Sequence, residues 1–393
     1  MLAHLIPGVG VAAFTALVGM SRSTRWGSIA LVALATGPGP AFAQGGEWRT
    51  DFTRHTVPLE EIVSGGPPKD GIPALDQPRF VPVPDADTWL SDREPVVLVE
   101  HGGEAKAYPL QILIWHEIVN DVVGGRPLAV TFCPLCNTAL AFDRRLNGRT
   151  LDFGTTGRLR HSDLVMYDRQ TESWWQQATG EGIVGTYAGR RLEFVSAPLV
   201  SWETFKRAHP AGTVLSRRTG YDRPYGENPY TRYDDARGSP IAAFFRGRRD
   251  ERLPAMERVV ALSLGGEDVA YPFEVLRKRP AINDRVGEVP IVVFWKPGTA
   301  SALDDSRISA GRDVGSTGVF DRRIGGHVLT FEPVGEGRYQ ERETGSEFDI
   351  LGRGLTGPLR GTRLQPIPHG NHFWFAWGVF KPSTRVVSSP PDS

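Results

Sequence analysis

The sequence has no surplus charge of either sign. Its 45 Lys and Arg balance 45 Asp and Glu, so there is no basic field to hold nucleic acid. It contains no Gly-x-Ser-x-Gly elbow, no phosphate loop and no dinucleotide fingerprint, and none of those chemistries is signalled. The first residues are apolar, but the apolar part of the more legible stretch, from Trp26 to Ala35, is too short for a good membrane span. Most informative is the scarcity of cysteine. The 393 residues hold two, Cys133 and Cys136, separated by Pro134-Leu135 and flanked by strand-favouring residues.

What is present begins with an export signal. From Met20, Arg22 and Arg25 precede an apolar stretch, and Ala41-Phe42-Ala43 supplies the small-x-small pattern before Gln44. That order reads as a secretory signal peptide over residues 1–43, with cleavage after Ala43 and the start at Met1 or Met20. The alternative is an uncleaved anchor. The expectation is a periplasmic or secreted protein with no membrane span after cleavage. In such an oxidising compartment, a close cysteine pair forms a disulfide or is held by a metal.

The 45 Gly and 31 Pro favour a turn-rich, strand-rich fold. Residues 44–93 read as an extended, Pro-rich lead-in without much regular structure. The chain then matches itself. Tyr108-Pro109 is answered by Tyr271-Pro272, Asn120-Asp121 by Asn283-Asp284, Pro134 by Pro297 and Ala139-Leu140 by Ala302-Leu303, all at one offset. With small shifts, Gly154-Thr155-Thr156-Gly157 answers Gly315-Ser316-Thr317-Gly318, and Asp152 answers Asp313. The expected fold is mostly β (α+β): two tandem, pseudo-symmetric modules, each with one or two short helices. Module 1 spans 94–216 and module 2 spans 257–385. A Tyr-rich connector (217–256) joins them, and a disordered tail (386–393) follows. Helices are expected at Leu110 to Trp115 and at Ser201 to His209, the latter capped by Ser201 and closed by Pro210. The connector's four tyrosines at 221, 225, 230 and 233 suit a segment lying across a module surface or a cleft, against the plainer reading of an ordered linker.

Several ordered blocks carry a family resemblance: Trp115-His116-Glu117-Ile118-Val119-Asn120-Asp121, Thr131 to Ala139 around the cysteines, Asp163 to Arg169, and Ser173-Trp174-Trp175-Gln176-Gln177. They resemble the signature blocks of the bacterial domain-of-unknown-function family numbered 3179, over about residues 90–380. The resemblance implies an exported bacterial context and brings no catalytic role with it, so enzymatic activity is left undecided.

Three chemistries compete for the cysteine pair. In the first, Cys133 and Cys136 are thiolate ligands on a knuckle turn, with Asn137 in a left-handed backbone. The missing ligands are then sought in His116, His161 and Asp163, and zinc or copper is the expected ion. In the second, Cys133 and Cys136 cycle as a dithiol with a thiol-redox partner, His116 or Arg144 lending positive charge. The third is a structural disulfide in a non-enzymatic ligand- or protein-binding module, without cofactor, although so short a loop gains little from closure. The self-match weighs on this choice. Cys133-Pro134-Leu135-Cys136 faces Lys296-Pro297-Gly298-Thr299 and His116 faces Arg279, so the turn's proline persists where its sulfurs do not.

Overall fold

The computed structural model describes residues 48–388. The signal peptide over 1–43 and the last tail residues, 389–393, lie outside the described residues. The protein is mostly β, 41% strand and 11% helix, with five short α-helices among several sheets.

The first half is built from hairpins. Strands β1 (Pro95–His101) and β2 (Glu104–Pro109) are antiparallel and joined at Gly102-Gly103. Both glycines have positive φ, as a two-residue hairpin turn needs. Helix α1 (Leu110–His116) follows, buried over most of its length, so it works as a core plug rather than an amphipathic surface helix. Strands β3 (Ile118–Val123), β4 (Arg126–Cys133) and β5 (Thr138–Asp143) pair in order, and β6 (Phe153–Arg160) pairs with β7 (Asp163–Asp168). The second expected helix spans Trp202–Ala208, and Ser201 caps it by accepting from the Thr204 amide at 3.2 Å.

The lead-in is more regular than its prolines suggest. Ile62–Ser64 forms the edge of the β6–β7 sheet, and Phe80–Pro82 pairs with Thr213–Leu215. Prolines are tolerated there because edge strands leave one row of amides unpaired. At the far end, Arg385–Val386 pairs with the second half, so the chain is still in a strand where the disordered tail was expected to begin.

The second half repeats the element order. β8 (Arg258–Leu264) and β9 (Glu267–Pro272) pair Val259 with Pro272, as β1 and β2 pair Val96 with Pro109. Helix α2 (Phe273–Lys278), β10 (Ala281–Val286) and β11 (Val289–Lys296) follow. Asn120 clamps the amide and carbonyl of Phe153, and Asn283 clamps those of Phe331 in the same way.

Beyond the cysteine turn, the residue matching read from the sequence needs correction. β5 lies on β4, and its counterpart on β11 is β12 (Ser316–Asp321). Ser316-Thr317-Gly318 therefore answers the start of β5, not Gly154 to Gly157 in β6, and Ala302-Leu303 sits in an irregular loop. Arg144 Nη1 donates to the Leu151 carbonyl as Arg322 Nη1 does to Leu329, which sets Thr330 rather than Asp313 opposite Asp152. The physical cause is an insertion: residues 300–315 loop out in the second half, where Asn137 alone joins turn to strand in the first.

Both halves share their cores. β1 is buried on its two faces, so alternate residues feed different clusters. Val97 and Val99 belong to one buried cluster with Phe132, Phe142 and the second half's Phe373 and Phe375, while Val96 and Leu98 belong to another with Trp202 and the second half's Phe294 and Phe320.

Candidate functional site

Cys133 ends β4, Pro134–Cys136 make one 3-10 turn, and Asn137 turns the chain into β5 with φ 51° and ψ 33°. Asparagine tolerates this left-handed backbone, as the knuckle reading expects. Both cysteines are free thiols, 1% and 0% exposed. Each Sγ points at one acceptor, the Ser162 carbonyl, at 3.7 Å from Cys133 and 3.3 Å from Cys136.

That carbonyl belongs to the tip of the β6–β7 hairpin, where His161 and Ser162 have φ of 54° and 68°. Two consecutive non-glycine residues in that region are strained, and such strain gathers where a backbone must be aimed. The next residue, Asp163, is fully buried. Its Oδ2 accepts from Gln176 Nε2 at 2.5 Å and from the Ala178 amide at 2.9 Å, while its Oδ1 has no partner. The donor atoms of Cys133, Cys136 and Asp163 all lie within 4.8 Å of one another.

A fourth acid stands close by. Glu117 follows α1 with φ 57° and is 7% exposed. No protein group hydrogen-bonds its carboxylate among the described residues. Burial, with the charge of Asp163 added, pushes its pKa up to about 8. Burial pushes Asp163 up to about 6 against its hydrogen bonds. Burial likewise raises both thiols, Cys136 further through Cys133 and Asp163. Among the largest causes of these four shifts there is no lysine or arginine.

The histidines named from the sequence are not among the gathered donors. His116 Nδ1 donates to the Pro73 carbonyl at 2.7 Å, and Nε2 accepts from the Tyr225 hydroxyl at 2.7 Å. Burial lowers its pKa to about 4, so it brings no charge to the thiols. His161 turns Nε2 to Glu61, 3.2 Å away, and burial holds it near 4 as well. Arg144 is engaged by Asp152 and the Leu151 carbonyl. The connector supplies groups that sequence reasoning did not place: Tyr233 donates to the Leu135 carbonyl at 3.0 Å, and the charges of Glu117 and Cys133 help raise the pKa of Tyr230. Glu117 was also missed, although it stood beside His116 in a quoted block and faces Pro280 at the same offset that faces Cys133 with Lys296.

For thiol exchange this surrounding is unfavourable. A nucleophilic cysteine needs a lowered pKa and access, and both are denied here. For a cation it is favourable, since two thiols and the Asp163 carboxyl converge, with the Glu117 carboxyl near enough to be felt electrostatically.

A family profile described as Protein of unknown function (DUF3179) matches residues 69–384. No curated protein and no solved structure matches the chain.

Proposed function

The chain belongs to this family of proteins of unknown function, and we propose that it is a metal-binding protein whose ion is held by Cys133, Cys136 and Asp163, with Glu117 completing the set. The observation that carries this reading is the buried gathering of Cys133, Cys136 and Asp163, whose donor atoms lie within 4.8 Å of one another, with the charge of Glu117 felt beside it. A divalent ion would replace their protons and supply the missing charge. Zinc accepts thiolates and carboxylates together in a closed shell; copper, which also takes thiolate, would be better served by the imidazoles that stay outside. The arginine, apolar and small-residue order before Gln44 supports delivery to the periplasm or the exterior.

We further infer one module used twice, with the acids kept in the first copy alone. Arg279, Pro280, Lys296 and Thr299 stand opposite His116, Glu117, Cys133 and Cys136. The hairpin opposite β6–β7 runs Phe331–Gly335 to Arg338–Glu341 and is too short to have a tip like the one that carries Asp163. Four groups lost while the surrounding pairing persists favours a ligand set over a shape requirement.

The test is elemental analysis of protein purified without chelators, alongside Cys133→Ser, Cys136→Ser and Asp163→Ala. About one zinc or copper per chain in the parent and little in the variants is expected. A folded parent that arrives without metal and takes up neither zinc nor cobalt(II) would overturn the reading.

A further inference from the structure

The connector bonds beside every donor. The Tyr225 hydroxyl meets His116, next to Glu117, at 2.7 Å; the Tyr233 hydroxyl meets Leu135, between the cysteines, at 3.0 Å; and the Phe244 carbonyl takes the Ser162 amide, next to Asp163, at 2.9 Å. Over residues 216–257 it has no helix or strand of its own. Segments of that kind open at lower free energy than the sheets beneath them.

From its other side it is gripped by the second half. The amides of Asn228, Arg232 and Tyr233 donate to the carbonyls of Ser306, Asp304 and Leu303 at 2.8, 2.7 and 3.1 Å. Asp234, fully buried, is held by Arg258 and Ser301 at 2.6 Å each and by Arg312 at 2.7 Å. This gripping loop is the insertion that follows the turn facing Cys133 to Cys136.

We propose that residues 219–247 are a gate over the Cys133–Cys136 site, released when the 301–312 loop lets go rather than when either half unfolds, and that a metal ion enters and leaves through it. The metal part rests on the function proposed above; the gate does not. With both thiols at most 1% exposed, nothing reaches them without an opening. Apart from one isolated bridge, Glu227 to Arg307, and the packing of side chains such as Tyr230, Tyr233 and Phe244 on the core, the connector is held by polar contacts to that loop and not by strand pairing.

The probe is a small aromatic disulfide reagent applied to metal-stripped protein, run beside chelator-driven metal loss from loaded protein. Arg312→Ala removes one cation from Asp234 and leaves Arg258 in place. It should speed thiol labelling by about tenfold, and metal loss equally, while global stability falls by no more than about 1.4 kcal/mol, to which tenfold corresponds, and labelling stays nearly independent of low urea. Tyr233→Phe, which loses only the bond to Leu135, should speed labelling about threefold and serves if the first variant misfolds. Labelling that is equally slow in parent and folded variants, or whose urea dependence matches global unfolding, overturns the gate. Accelerated labelling in a protein that takes up no metal keeps the gate and sinks the metal reading.

Discussion

Above about pH 6.5, where the buried histidines such as His116 and His161 are neutral in both states, metal-free protein should weaken as pH rises to about 8, and Glu117→Gln should remove most of that loss. Glu117 is 7% exposed, and burial raises its pKa from 4.5 to about 8, with Asp163 adding to the shift. The folded chain therefore keeps a proton that the unfolded chain has released. The stability tied to that neutral carboxyl is fully present below 4.5 and is lost as pH climbs to about 8. At about 1.4 kcal/mol per pH unit the loss approaches ~5 kcal/mol across the window. Asp163, raised from 3.8 to about 6, adds a smaller loss of the same sign at lower pH. An amide at position 117 does not ionise. The variant should lose the tilt and carry instead a pH-independent cost of about 1–3 kcal/mol for a buried amide without a partner. Urea unfolding in chelator, at about pH 5, 6, 7 and 8, measures both curves. Added zinc should stabilise the parent more at the upper end, because binding displaces the same protons. Stability that is flat or rising between about pH 6.5 and 8 in the metal-free parent, or an equal slope in Glu117→Gln, would refute the reasoning.

Three further outcomes follow from the same geometry. His116→Ala removes the bonds to Pro73 and Tyr225 and should cost about 1–3 kcal/mol in urea unfolding while leaving metal stoichiometry at the parent value; loss of metal would make the imidazole a ligand after all. Asp234→Ala strands Arg258, whose side chain is 8% exposed, and should cost about 3–5 kcal/mol; a shift below about 1 kcal/mol would mean that water reaches the guanidinium. Asn120→Ala unclamps Phe153 and releases Asp76, for an expected loss of about 2–3 kcal/mol, and a neutral result would show the clamp to be dispensable.

The sequence made the sheets legible where pairing is local. Short apolar runs, most of them bounded by Gly, Asn or Asp, mark β1, β4, β5 and β7 at Pro95 to Val99, Leu128 to Phe132, Ala139 to Phe142 and Leu164 to Tyr167, and the Ser201 cap marks its helix, because hairpins and caps are decided by neighbours in the chain. The knuckle turn with its left-handed Asn137 was legible for the same reason. Asp163 was named among three candidate ligands, but nothing along the chain ranks it above His161, two residues away. That ranking comes from a strained hairpin tip which faces Ser162 and Asp163 toward the thiols and turns His161 to Glu61. Matching Ala302-Leu303 to Ala139-Leu140 failed because a gapless comparison has no means of seeing a loop inserted between two strands that still pair. The connector's tyrosines left two readings open, a segment across a surface and a plain linker, and the carbonyls and rings they meet across the fold are not legible along the chain.

The shared cores bear on how the chain comes to be assembled. The cluster packed around Phe132 and Phe142 is completed by Phe373, Phe375 and Ala376, close to the C-terminus. Until those residues are available, the cluster around Phe132 and Phe142 has an uncovered apolar flank. The first half is thus not a unit that could be cut out and kept. Any acquisition of an ion belongs after the whole chain is in hand, and a truncation that spares every cysteine and carboxylate of the site would still leave it unmade.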